Sequence, residues 1–159
     1  MTYRRPKPRR LLNRFVLYSM LAGTSMSAPS AHAALGDLVE PIAGATSRTF
    51  AGGAVSVLRY VDAGGTTINE YFVSANGVVF AYTWQGPTMP NLRALLGSYD
   101  ASYRENASSE LSGPRGSLHA VRVDEPEVVV EVGGQMRSYV GRAWLPTALP
   151  PGVTEGDLQ

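Results

Sequence analysis

Alternating apolar and polar positions dominate the first half of the chain. Between residues 49 and 62, Val55, Val57 and Val61 alternate with Ser56, Leu58 and Tyr60, which predicts one strand with a dry and a wetter face. Ala63-Gly64-Gly65 reads as a turn. Residues 66–75 and 78–84 are β-rich runs on either side of Asn76-Gly77, the strongest short hairpin signal. A two-residue loop there pairs Val73 with Phe80, Tyr71 with Tyr82 and Asn69 with Trp84, leaving Phe72, Val79 and Ala81 on the other face. Both faces are partly apolar, so this hairpin is expected in the middle of a sheet.

The period then changes. Gln85-Gly86-Pro87 ends the strand, and Thr88 or Met89 is positioned to cap a helix with Pro90 in its first turn, where the missing N–H costs nothing. Leu92, Leu95, Leu96, Tyr99 and Tyr103 fall on one helical stripe. Gly97 lies inside it and either weakens that helix or ends a short one. The Ser-, Gly- and Pro-rich residues 108–117 read as a loop.

Alternation returns over 118–124 and 127–132, with Val128, Val130 and Val132 inward and Glu127 and Glu131 toward water. Gly133-Gly134 leads into 135–142. Two registers compete there. Turn chemistry favours a Gly-Gly loop, whereas a three-residue loop including Gln135 aligns Val132 with Met136, Val128 with Val140 and Glu131 with Arg137. Burial pattern sets register, which favours the second.

The expected fold is α+β: a single small domain with an antiparallel sheet of about five strands, two hairpins plus one strand, packed by one helix. An irregular lead-in (34–48) precedes it and an irregular tail (145–159), frayed from 154, follows. The helix stripe and the Pro-rich tail fit an outer-membrane barrel poorly.

Charge separates the chain into two parts. Six of the fourteen basic residues and no acidic one lie in residues 1–33, so the remaining 126 carry eight basic against thirteen acidic residues, a net of −5. The first part is a basic stretch to Arg14, an apolar run from Phe15 to Ala22, and Ala31-His32-Ala33, which fits a small-x-small cleavage site. It is read as a signal peptide cut between Ala33 and Ala34, with a periplasmic or secreted product. Its apolar core of about 8–10 residues is short of the roughly 20 that a membrane span needs, so no stable span is expected after cleavage. Leu-Leu-Asn-Arg after Arg9-Arg10 interrupts a twin-arginine pattern and favours the general secretory route.

Composition excludes several chemistries. The chain has no cysteine, hence no disulfide framework, thiolate nucleophile or Cys-ligated metal. Lys7 is the sole lysine, so residues 34–159 offer no Schiff-base lysine or Ser–Lys dyad. Their acidic balance makes nucleic acid an unsuitable partner.

Candidate sites are few. His119 is the one histidine after the leader, no Gly-x-Ser-x-Gly elbow accompanies it, and a structural or surface role is the simpler reading. Asp124-Glu125-Pro126-Glu127 with Glu131 is the densest acidic cluster. It lacks the Asp-x-Asp-x-Asp-Gly spacing of a calcium loop and fits solvated edge charges. No catalytic residue, metal site or cofactor is assigned. Tyr71, Phe80, Tyr82 and Trp84 form either a ligand-facing aromatic shelf or the core beneath the helix. Arg137, Arg142 and Trp144 are a candidate anion or partner patch, with Glu131 a plausible partner for Arg137. The binding candidates are therefore Tyr71, Tyr82, Trp84, Arg137 and Trp144.

Asn76-Gly77-Val78-Val79-Phe80-Ala81, Trp84-Gln85-Gly86-Pro87-x-x-Pro90-Asn91-Leu92, Leu95-Leu96-Gly97-x-Tyr99 and the run from Gly134 to Ala143 resemble a family of short exported proteobacterial proteins catalogued only as a domain of unknown function. The Ala34-Leu35-Gly36 start and the Leu149-Pro150-x-Gly152-Val153 ending resemble it too, so the likeness spans nearly all of 34–159. It implies one exported domain and brings no activity, cofactor or catalytic residue. The leading expectation is an exported non-catalytic binding or accessory module, its partner an envelope protein, peptide or glycan. The alternatives are an envelope hydrolase using His119 or the Asp124–Glu131 carboxylates, and a structural protein that self-associates through a sheet edge.

Overall fold

The structure is a computed structural model and describes residues 32–112 and 120–159. Most of the expected leader and all of His119 lie outside the described residues, as does the 113–117 part of the expected loop.

Among the described residues seven strands form one antiparallel sheet: β1 (Thr46–Phe50), β2 (Val55–Val61), β3 (Thr67–Val73), β4 (Val79–Gly86), β5 (Ala120–Asp124), β6 (Val129–Gln135) and β7 (Ser138–Trp144). Their spatial order is β1-β2-β3-β4-β7-β6-β5. The expected sheet of about five strands is thus corrected. The expected single strand over 49–62 is two strands folded back through Ala51-Gly52-Gly53, whose φ angles are +52°, +64° and +92°. Two adjacent glycines make such a left-handed reversal affordable. β1 takes its first residues from the supposedly irregular lead-in.

After β4 the chain crosses one face as α1 (Leu92–Leu96) and α2 (Asp100–Ser112), reaches the far edge as β5, and returns through β6 and β7 to pair with β4. Asn91, not Thr88 or Met89, caps α1: its side chain accepts from the Ala94 N–H at 3.3 Å. Gly97 (φ +56°, ψ −118°) breaks the predicted single stripe in two. α2 continues to Ser112, into the expected loop. The hydroxyls of Ser108 and Ser109 donate back to the Arg104 and Glu105 carbonyls, so residues that favour loops are absorbed into the helix.

Both faces of the sheet are covered where its centre is most apolar. β4 is buried at six successive positions, Val79 to Trp84, as expected for a strand packed on both sides. On the helix side Tyr60, Ile68, Tyr82, Trp84, Val130 and Ala143 cluster with Leu95, Leu96, Tyr103 and Ala107. On the other side Val55, Val57, Tyr71, Phe80, Ala81 and Trp144 lie beneath Val153 and Leu158 of the tail. The tail is therefore anchored and not frayed: Leu158 is buried, and Thr154 and Asp157 close a reciprocal capping box.

Two registers differ from expectation. Between β3 and β4, Glu70 faces Tyr82, Ile68 faces Trp84 and Tyr71 faces Ala81, with a bulge before Phe72↔Val79. The extra residue, Phe80, joins Ala81 on the tail side. Tyr71 and Tyr82 consequently stand on opposite faces rather than side by side. Between β6 and β7 the turn is Met136-Arg137, with Gln135 facing Ser138 and Glu131 facing Arg142. Gly133 and Gly134 extend β6 instead of turning it, and Arg137 adopts φ +65°. The edge strands β1 and β5 have five residues each and carry Arg48, Arg122 and Asp124, features that discourage edge pairing. Among the described residues no helix is long and apolar enough to cross a membrane.

Candidate functional site

Alternation dictates where the charged residues of the tail-side face fall. Antiparallel partners share a face, so Arg48, Arg59, Asn69, Thr83, Arg142, Glu131 and Arg122 are carried on it from strand to strand. The tail covers one half of this face. The other half is a groove of about 1120 Å³, lined among others by Arg48, Arg59, Asn69, Gln85, Arg122 and Arg142.

The four arginines fall into two pairs. Arg122 and Arg142 share Glu131: Arg142 Nε lies 2.5 Å from Oε2, and Arg122 binds Oε1. Arg122 also reaches Asp124 at 2.9 Å. Both guanidinium groups lie over the Trp144 ring, at 4.9 Å for Arg142 and 5.7 Å for Arg122. Burial works against the Glu131 charge, but the hydrogen bonds and positive charge of Arg142 and Arg122 outweigh it and hold the carboxyl below its ordinary range. Glu131 is thus a fixed anion, unsuited to proton transfer near neutrality. Arg48 and Arg59 are exposed and have no carboxylate within ion-pair distance among the described residues.

The sequence-derived candidates are distributed differently from expectation. Tyr71, Tyr82, Trp84 and Trp144 are 0–2% exposed and belong to the two cores. An open aromatic shelf is not formed, because the bulge sends Tyr71 and Phe80 to one face and Tyr82 and Trp84 to the other. Trp144 and Arg142 do come together. Arg137 sits apart at the β6–β7 turn, and its expected partner Glu131 is held by Arg142 and Arg122. The acidic cluster diverges: Glu125 accepts from Ser102 at 2.6 Å and from Asn106, both on α2, while Glu127 is exposed.

Arg48, Arg59 and Arg122 escaped the sequence reading, as did a buried carboxyl, Glu70. Arg59 stands in phase with Val55 and Val57, a charge at a position the pattern marks as inward. Glu70 stands in phase with Ile68 and Phe72. It is fully buried beside Tyr82, and neither of its oxygens meets a hydrogen-bond donor. Burial raises its pKa to about 7; the nearness of the Tyr82 hydroxyl, which lowers it, and the charge of Glu40, which raises it, are smaller influences. Burial and the Glu70 charge likewise push the Tyr60 and Tyr82 hydroxyls up.

Fold and groove together define a sheet-dominated domain with an arginine-lined cleft on one open face. The chain belongs to a family described as a protein of unknown function (DUF2844), matched over residues 19–158. No curated protein and no solved structure matches it.

Proposed function

We propose that this protein is exported, is cut between Ala33 and Ala34, and acts outside the cytoplasm as a non-catalytic binding module whose groove takes an acidic glycan. One observation carries the ligand assignment: Arg48 and Arg59 face the groove without carboxylate partners among the described residues, in a domain whose overall balance is acidic. Guanidinium groups match carboxylates in a two-pronged geometry. Thr67, Asn69, Thr83 and Gln85 add neutral donors and acceptors suited to sugar hydroxyls.

Calorimetric titration with oligogalacturonate tests the reading, with oligoglutamate and an uncharged glucan as comparisons. Saturable binding of oligogalacturonate alone, weakened in the Arg48→Ala/Arg59→Ala variant, is expected. Tighter binding of oligoglutamate would replace the glycan with an acidic peptide. Turnover of any substrate, lost on a single substitution, would overturn the non-catalytic reading.

A further inference from the structure

We propose that cleavage after Ala33 creates a structural ion pair: the freed Ala34 ammonium docks against Tyr82 and the carboxylates of Asp37 and Glu70. This rests on the export reading above and adds to it what the new terminus does.

The site is already assembled around the bond. Tyr82 donates its hydroxyl proton to the Ala33 carbonyl oxygen at 2.5 Å. That hydroxyl lies beside the Glu70 carboxyl across the β3–β4 pair, yet its proton is committed to Ala33, leaving both Glu70 oxygens without a donor. The Ala34 nitrogen is bonded to the same carbonyl carbon and already donates to Asp37 Oδ2 at 3.2 Å. His32, the other described residue on the leader side, stacks on Tyr60 at 5.0 Å, and its buried Nδ1 has no partner among the described residues.

Residues after the bond hold this nitrogen independently of Ala33 and His32. Leu35 is buried, and its N–H donates to the Leu95 carbonyl at 2.9 Å. Gly36 donates to Val79 at 2.8 Å, and Val79 donates back to Asp37 at 2.9 Å. Ala34 itself packs where Gly97 has no side chain, since a Cβ at 97 would come within 2.6 Å of the Ala34 Cβ. Loss of residues 32 and 33 leaves all of these contacts in place.

Hydrolysis by a processing peptidase breaks the Ala33–Ala34 C–N bond. Water supplies the oxygen of the departing Ala33 carboxylate, and the Ala34 nitrogen takes up protons to become an ammonium. Tyr82 loses its carbonyl acceptor and turns its proton to Glu70. The ammonium presents three donors where the amide had one, for Asp37, the Tyr82 oxygen and Glu70. Among the described residues, Asp37 bonds this nitrogen, Glu70, Tyr82 and Tyr60 form the cluster around it, and Glu40 and Asp62 act on that cluster through their charge. No lysine follows Lys7, so this is the single primary amine of the processed chain.

That uniqueness makes the experiment direct. The full chain is expressed with its leader, the exported product is weighed by mass spectrometry, and its amine is acetylated with acetic anhydride, folded and in urea. The expected product begins at Ala34, and its amine reacts at least tenfold more slowly when folded, with a pKa above the ordinary ~7.7–8.0. In Glu70→Gln the protection falls. Acetylation, which restores a carbonyl and removes the charge, lowers Tm. A chain kept whole in the cytoplasm would overturn the export reading and this inference with it. Export with cleavage elsewhere would overturn this inference alone. A product beginning at Ala34 whose amine reacts equally fast folded and unfolded would overturn the docking and leave export standing. The amine pKa of the unsubstituted protein keeps the test decisive if Glu70→Gln fails to fold.

Discussion

Two single residues mark where the sequence pattern and the packing conflict. Glu70 occupies an inward position of β3 and is buried with a pKa near 7 while Ala33 is in place. Its folded value lies above its ordinary 4.5, so the folded state holds a proton that the unfolded state releases as pH rises between the two. Stability therefore falls across pH 4.5 to 7, by about 3 kcal/mol, and stays low above it. Urea denaturation of a chain that retains His32 and Ala33 is expected to show this fall, and Glu70→Gln to flatten it; an unchanged slope in the variant would assign the effect elsewhere. Gly141 is the second residue. A Cβ there would lie 2.3 Å from Trp84 Cζ2 and 2.5 Å from the Glu131 carbonyl oxygen, and neither a buried indole nor a strand backbone can yield. Gly141→Ala is expected to cost about 1–3 kcal/mol, read as a lower denaturation midpoint. Alternation alone singled out neither residue. What it hid was tertiary: which of the two faces each strand turns toward the helices depends on the bulge at Phe80, and no local preference announces that bulge.

At the scale of elements, turns decided what the sequence left open. Asn76-Gly77 marked a reversal correctly in place. However, Val73 and Val78 close a longer loop around it, with Gly77 and Val73 bonded at 2.8 Å and Val78 held by the Asn76 side chain at 3.0 Å. The Gly133-Gly134 pair drew attention away from the true turn because Arg137, not a glycine, carries the positive φ there. A left-handed arginine costs roughly 1–2 kcal/mol, partly offset in a glycine variant by the larger entropy of the unfolded chain. Arg137→Gly is therefore expected to raise stability by up to about 1 kcal/mol and to leave groove binding unchanged, since Arg137 does not line the groove. Weaker binding in this variant would return Arg137 to the site. Gly97 is the reverse case. The sequence allowed for a break there, and the structure uses it to turn α1 into α2 and to seat Ala34. Gly97→Ala strains the backbone and meets Ala34, so a loss of about 1–3 kcal/mol by denaturation is expected.

Across the whole molecule, the groove is where the charge arithmetic of the sequence is resolved into geometry. A net of −5 over residues 34–159 argued against a nucleic-acid partner, whose phosphate backbone calls for a basic surplus. Composition cannot reveal that one face gathers four of the eight arginines. Only the strand order does that, by bringing Arg48 and Arg59 from one edge and Arg122 and Arg142 from the other to a common cleft. The two pairs have different work. Arg122 and Arg142 already neutralise Glu131 and stack on Trp144, so removing either uncovers a half-buried carboxylate as well as altering the cleft. Arg48 and Arg59 have no such internal task, so their loss is read in binding and scarcely in stability. With oligogalacturonate as probe, Arg59→Ala is expected to weaken affinity about tenfold, equivalent to about 1.4 kcal/mol, with Tm unchanged. Arg59→Glu is expected to abolish binding through repulsion. Because exposed charges are screened over roughly 10 Å at 0.1 M salt, raising salt is expected to weaken the unsubstituted protein more than the Arg48→Ala/Arg59→Ala variant. Equal salt dependence in the two proteins would mean that the ligand's charge is met by Arg122 and Arg142 instead, and the unpartnered pair would lose its assigned role.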